Sequence, residues 1–399
     1  MSIKKQMKLM NYVAILSIFL FSGAGTFMNA AVQTMMDAWP QLSPTTVRMV
    51  TSLPSLLSLP VTILIGSIAG KKLSFRFCAI FGTALIAAAG IAPYFFYQNW
   101  YVVLAFRALV GIGVGFVAMR NSLILKSVPE SKQAAIVGYG SSLMNLGGML
   151  AAPIVGFLVS FGWQKAFLYD LLALVPVLLM LFWLKEPDAE DMADIPVQSA
   201  GVPSDLATAR TDWRTFFYII VQFIGTMALF PLLSGMSTYM AAEGIGSAVT
   251  AGFAVSAYNL AGVLINLVLS PILKKLGHHV LWVMNLLFAV SMAIIVLLPN
   301  VPMVMAGAAL AGLTFNTTMS VYQVYNGRTA GRLSTLTSTM LIAALSLGNF
   351  SSVYFINFCH AIFRMSSDIK STYTGSMIIY LILAVICLVI RVAPREDYV

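Results

Sequence analysis

The sequence predicts an all-α integral membrane protein, with twelve transmembrane helices in two pseudo-symmetric six-helix bundles. Three observations carry that prediction. Of 399 residues, 59% are hydrophobic and 9% charged, where a soluble protein carries about 25% charged. Apolar runs recur along the whole chain, each near the roughly 20 residues that a hydrocarbon core of about 30 Å requires of a helix. Half of the 14 acids (Glu186, Asp188, Glu190, Asp191, Asp194, Asp205 and Asp212) crowd into one short stretch that divides the runs six and six.

The N-terminal bundle, 1–184, holds runs near 11–36, 45–69, 75–96, 100–125, 132–160 and 164–184. The first follows Lys4, Lys5 and Lys8 and ends at Asp37 and Trp39-Pro40; the second ends in Lys71-Lys72-Leu73. Arg107 lies inside the fourth run and Asp170 inside the sixth. Residues 185–212, with Pro187, Pro196, Gly201 and Pro203 among the acids, read as a solvated cytoplasmic linker. The C-terminal bundle, 213–399, holds runs near 213–240, 247–273, 279–298, 301–326, 332–358 and 371–391. An unpaired backbone polar group in lipid is so costly that each run must be helical.

The net charge of +9 is informative through its placement. With the N-terminus inside, 18 basic residues fall on the inner side: Lys4, Lys5, Lys8, Lys71, Lys72, Arg76, Arg120, Lys126, Lys132, Lys185, Arg210, Arg214, Lys274, Lys275, Arg328, Arg332, Arg391 and Arg395. Only Arg48, Lys165, Arg364 and Lys370 fall outside. By the positive-inside rule both termini are expected in the cytoplasm of a bacterial cell, with the chain embedded in its cytoplasmic membrane. Basic residues scattered over many short loops do not form a nucleic-acid footprint. Cys78, Cys359 and Cys387 show neither metal-ligand spacing nor a disulfide framework. The first run is too long for a signal-peptide core and is expected to remain as a helix.

The halves resemble each other. Gly25-Thr26 recurs as Gly225-Thr226, Lys71-Lys72-Leu73 as Lys274-Lys275-Leu276, and Leu109/Gly111 as Leu310/Gly312, at offsets of 200, 203 and 201. Duplicated bundles are the architecture of many secondary transporters. In the fourth run, Arg107 is followed by Gly111, Gly113 and Gly115. The fifth carries Gly148, Pro153 and Gly156, with Ala152 before the proline; Gly162-Trp163-Gln164-Lys165-Ala166-Phe167 opens the sixth. These motifs resemble those of the major facilitator superfamily over essentially the whole chain. Ala152 stands where a glycine is usual, and Gln164 where an arginine is. After the second run, Gly66, Lys71, Lys72 and Arg76 resemble the family's loop motif, but Gly70 occupies the place of its acid. That acid's gating role therefore does not carry over. The resemblance implies alternating access around a central site walled by helices one, four, seven and ten, with proton coupling. The fifth-run motif points to an antiporter. A monomer without cofactor or metal is expected, with a small-molecule substrate, protons and the bilayer as its partners.

Several residues could carry the chemistry. Arg107 lies about seven residues, or roughly 10 Å, into its helix. A charge at that depth needs a partner or water, so Arg107 is either structural or a substrate-binding and proton-coupling group. Arg120 is thirteen residues further on, about 220° around an ideal helix, which argues against a shared anion site and for snorkelling. Asp170, at nearly the depth of Arg107, either pairs with it or carries a proton. Asp37 is a weaker coupling candidate, with a loop role as the alternative. Ser22, Thr26, Asn29 and Gln33 fall on one helical stripe, as do Asn316, Ser320 and Gln323. Asn145, Gln222, Thr226 and Asn259 complete the candidate cavity, with helix packing as the alternative role for such groups. Tyr258, Tyr322 and Tyr325 could line the same cavity or simply pack.

No nucleotide-binding Gly-Lys-Ser/Thr loop is present, so coupling to ATP within this chain is not expected; an ion gradient is the energy source that the resemblance implies. Proton-coupled export of a small organic solute leads. The uncharged stripes keep open the uptake of a neutral or zwitterionic nutrient by symport. A transport-inactive sensor and a membrane-embedded enzyme are remote, the latter for want of clustered acids, His or Cys.

Overall fold

The computed structural model describes residues 3–70, 72–186, 211–390 and 392–394. Lys71 and the linker acids Asp188, Glu190, Asp191, Asp194 and Asp205 lie outside them. Among the described residues, 11 helices are long and apolar enough to cross a membrane, and a bent pair brings the number of spans to as many as 12. The chain divides into two compact units, Met1–Pro196 and Val197–Val399.

In the first unit the opening span is broken. α1 (Ile3–Leu20) gives way to a 3-10 helix, Ala24–Ala31, and then to α2 (Val32–Ala38). The two arms bend by 47°. Gly23 and Gly25 weaken the α-helix at this point. Ser22 and Thr26 return their hydroxyls to the carbonyls of Ile18 and Gly23, at 3.0 Å each. The break corrects the expected stripe: at three residues per turn Thr26 and Asn29 eclipse one another, while Ser22 and Gln33 belong to other elements.

α3 (Pro44–Ile68), α4 (Phe75–Phe95) and α5 (Trp100–Val117) follow, with Ser43, Ser74 and Asn99 capping their first turns. A turn at Ala118–Met119 separates α5 from α6 (Arg120–Ser127), although the two form one span. α7 (Glu130–Leu158), a 3-10 helix Trp163–Ala173 and α8 (Leu174–Trp183) complete the unit. Trp39, Trp100 and Trp163 meet at ring distances of 5.9–6.3 Å, tying the ends of three spans.

The second unit runs through α9 (Trp213–Ser234), α10 (Met236–Ala242), α11 (Ala248–Leu276) and α12 (Val280–Leu297). It ends with α13 (Val301–Thr329), α14 (Ser334–Phe363) and α15 (Asp368–Val389). Its packing repeats that of the first unit. α5 lies on α3 and α13 on α11; α7 lies on α1 and α14 on α9. Glycines make each crossing close. A Cβ at Gly111 would collide with the Pro54 carbonyl, and one at Gly312 with the Tyr258 carbonyl. Gly147 meets the Leu20 carbonyl and Gly348 that of Phe223 in the same way. In membranes, where lipid is as apolar as leucine, such small-residue contacts drive helix association.

The two described ends of the acidic stretch are tied to the bundles. Glu186 accepts the backbone N–H groups of Phe75 and Arg76, each at 2.7 Å, and so caps α4 from 110 residues away. Asp212 caps α9 through the Arg214 N–H and pairs with the Arg214 guanidinium at 2.8 Å. Gly70, at φ +76°, has the Phe75 ring against it, so only a residue without a side chain fits there.

Candidate functional site

Five elements converge on one ion pair in the first unit. Arg107, on α5, and Asp170, on the 3-10 helix Trp163–Ala173, are both fully buried, with Nη1 3.3 Å from Oδ2. The other guanidinium donors are spent on backbone. Nε donates to the Val50 carbonyl of α3 at 2.9 Å. Nη2 donates to the Ala24 and Gly25 carbonyls at 3.0 and 2.8 Å, at the point where the first span breaks. On α4, Gly90 leaves room for the carboxylate, since a Cβ there would collide with Asp170. Beside the pair, Tyr169 packs edge-on against Phe27 at 5.3 Å and donates to the Gly147 carbonyl at 3.4 Å.

The arrangement has two chemical consequences. Burying two charges is costly, and a pair recovers that cost only where the remaining donors and acceptors are satisfied. Arg107 meets the condition. Asp170 meets it in part, because its Oδ1 is enclosed without a hydrogen-bond partner. Secondly, Arg107 clamps the broken span. Its Nη2 bridges carbonyls on successive residues of the break, so the charge on Asp170 is linked mechanically to the first span.

The other sequence candidates are dispersed. Thr26 is spent on the Gly23 carbonyl, Asn29 is buried with its Oδ1 unpartnered, and Gln33 donates to exposed Asp37 at 2.7 Å. Asn145 is half-buried on α7. In the second unit Asn259 and Asn316 donate to carbonyls of their own helices, Val255 and Gly312, at 3.0 and 2.7 Å. Ser320 donates to Asn316, and Gln323 is exposed. Of the motif residues, Gly115 lies against Val61, Gly66 and Lys72 are exposed, and Pro153 and Gly156 lie within α7. It is Gly147, beside the expected Gly148, that meets α1.

A small cavity opens within the second unit between α9, α12, α13 and α15. Gln222, Asn285, Thr318, Tyr322 and Tyr380 supply its polar lining. Gln222 donates to buried Thr226 at 3.0 Å, and Tyr380 to the Gly225 carbonyl at 2.9 Å. The Asn285 Oδ1 and the Tyr322 hydroxyl are enclosed without partners. Asn285, Thr318 and Tyr380 were not among the sequence candidates. A lone amide in the most apolar of the spans was the available signal for Asn285.

The snorkelling expected of Arg120 is corrected. Because α5 ends at the Ala118–Met119 turn, Arg120 opens a new helix, and an angle counted along one ideal helix does not place it. Its guanidinium lies 4.9 Å from the Phe19 ring centre on α1, and Nη2 lies 4.0 Å from the Met144 Sδ on α7.

Comparison with known proteins adds four findings. A family model described as Major Facilitator Superfamily matches residues 13–352. Multidrug resistance protein MdtG of Yersinia enterocolitica is 25% identical over 205 residues, 51% of this chain and 48% of that protein. The uncharacterized MFS-type transporter YceJ of Bacillus subtilis is 26% identical over 271 residues, 65% of this chain and 66% of that protein. The matched stretches thus span less than two thirds of these curated relatives. In fold, a D-xylose-proton symporter superposes with a TM-score of 0.72 at 13% identity, over 97% of each chain.

Proposed function

The chain belongs to the Major Facilitator Superfamily, and from that premise we propose that this multi-pass transporter exports a small organic solute in exchange for protons by alternating access. One observation carries the coupling. Asp170 is a fully buried carboxylate with one oxygen unpartnered, and its other oxygen holds the arginine that clamps the broken first span. A proton arriving on Oδ1 removes the negative charge facing Arg107. Arg107 then keeps its carbonyl bonds at the break but has no counter-charge fixing its position, so the first span can shift with it. A proton gradient thereby acts on the geometry of a span. The MdtG relative's name, multidrug resistance protein, supports organic compounds as the substrate class. Uptake of an uncharged polar solute by symport is the second reading, favoured by the uncharged lining of Gln222, Asn285, Thr318 and Tyr322 in the second unit.

The test is solute-dependent proton movement in proteoliposomes loaded with a pH dye, across a panel of organic cations, anions and neutral sugars. Asp170→Asn should lose gradient-driven flux and keep solute exchange between equal pools. A folded wild-type protein that moves none of the panel under a pH gradient rules the reading out, and the direction of movement separates export from uptake.

A further inference from the structure

We infer that Arg120 binds the carboxylate of a small organic anion, with Phe19 and Met144 holding the apolar body of that anion. The inference rests on the transport reading, whose substrate class it narrows.

A guanidinium has five N–H donors and no acceptor. Those of Arg107 reach four oxygens. Arg120 reaches a thioether, which is a weak acceptor, and the face of an aromatic ring. Its Nε is enclosed and donates to nothing. Among the described residues no carboxylate lies within ion-pair distance of it. A cation left in this state inside a span has no structural debt to discharge, and intramembrane charges of that kind mark substrate pathways.

The surroundings suit an anion with an apolar body. The outer end of the Phe19 ring lies against Gly140, where a Cβ would come within 2.6 Å of it, and Met144 is a flexible, polarisable neighbour. Two further unpartnered groups lead away from the guanidinium. Ser127 lies seven residues beyond Arg120 on α6, and Tyr12 seven residues before Phe19 on α1. Seven residues are two turns, so each hydroxyl shares a face with its partner. Both hydroxyls are enclosed without a hydrogen bond. α1 and α6 pack together and belong to spans one and four, which run in opposite senses. The two hydroxyls therefore lie toward the same end of the bundle, on the same side of Arg120 and Phe19. Arg107 takes no part in this site, since each of its three nitrogens already donates to an oxygen.

Benzoate is the probe, with benzamide as its uncharged isostere. Thermal unfolding in detergent is followed with benzoate, benzamide, inorganic phosphate or phosphatidylglycerol added. Benzoate should raise the midpoint of the wild type, and benzamide should not. Arg120→Gln should weaken benzoate at least about tenfold, the loss of one charge-assisted contact. Arg120→Lys should recover part of the affinity, since it restores charge without the fork. Without ligand, Arg120→Gln should melt no lower than wild type; a purely structural arginine would lower it. Equal shifts by benzoate and benzamide, or an unchanged benzoate shift in Arg120→Gln, overturn the assignment. So does a shift confined to phosphate or phosphatidylglycerol, or no shift with any probe. Binding in detergent needs no gradient. A failure here with proton-driven flux intact therefore removes the anion site alone, and binding without flux removes the transport reading alone.

Discussion

Removing Arg107 should cost more than removing Asp170, and removing both should cost less than the sum. The structure supplies the reason. Arg107→Met leaves the Asp170 carboxylate fully buried without its cation and takes donors from the carbonyls of Val50, Ala24 and Gly25. Breaking a buried pair from one side typically costs about 3–5 kcal/mol. At roughly 2–4 °C per kcal/mol for a unit of 150–250 residues, the unfolding midpoint should fall by about 6–20 °C. Asp170→Asn is milder, because the amide oxygen still accepts from Nη1 and the three carbonyl bonds of Arg107 survive. In the double variant neither charge remains, so the coupling should offset the two single losses by about 0.5–3 kcal/mol. The assay is tryptophan-monitored unfolding of the four proteins in one detergent. Additive losses, or an Arg107→Met protein as stable as wild type, would refute the ion pair as the centre of this bundle.

Other expectations follow from single contacts. Gly111→Val and Gly312→Val should each abolish stable expression by driving a side chain into a neighbouring helix backbone, whereas Gly66→Ala, with nothing within 4 Å, should be neutral; membrane yield on detergent gels separates them. Glu186→Ala should cost about 0.5–2 kcal/mol by uncapping α4, and Glu186→Gln less, both read from unfolding midpoints. Tyr322→Phe removes a hydroxyl that faces the Asn285 amide without a well-formed hydrogen bond and should change stability little. If symport is the true mode, the same change should weaken uptake; flux unaffected in both directions would leave the second-unit cavity without a role.

The spans could be read from sequence because lipid penalises every unpaired backbone group, so a long apolar run has no other conformation available. The observed helices accordingly lie close to the expected runs, from Pro44–Ile68 in the second to Asp368–Val389 in the last. The repeat was legible too, since Gly111 and Gly312 occupy equivalent crossings at an offset of 201 and a bulkier residue fits at neither. What escaped was anything decided by a local break. A stripe drawn through Ser22, Thr26, Asn29 and Gln33 assumes one uninterrupted period, and two glycines ended that period. Gly147 was passed over because the approach of the Leu20 carbonyl on α1 leaves no mark in the sequence. Glu186 looked like one more solvated acid because its partners, the N–H groups of α4, are backbone and leave no mark in the sequence.

The two arginines of the fourth span show why depth alone does not assign a role. Both are cations within an apolar run, thirteen residues apart. Around Arg107 the chain has gathered oxygens: a carboxylate from one neighbouring element and carbonyls from two others, one of them exposed by a broken helix. Around Arg120 it has placed a ring, a thioether and two idle hydroxyls further along. The first environment stabilises a charge that stays, and any change in it must pass through Asp170. The second leaves a charge with its donors uncommitted, which is tolerable only if the counter-charge arrives from outside the chain. A proton and an organic anion then have separate addresses in the same bundle, joined by the span that carries both arginines. Coupling would require that span to respond to each, and the Ala118–Met119 turn between the two arginines is where such a response can be absorbed. Loosening that turn by Met119→Gly, a residue about 1 kcal/mol poorer in a helix than alanine, should leave benzoate binding and Asp170-dependent stability intact while changing gradient-driven flux; unchanged flux would show that the turn takes no part.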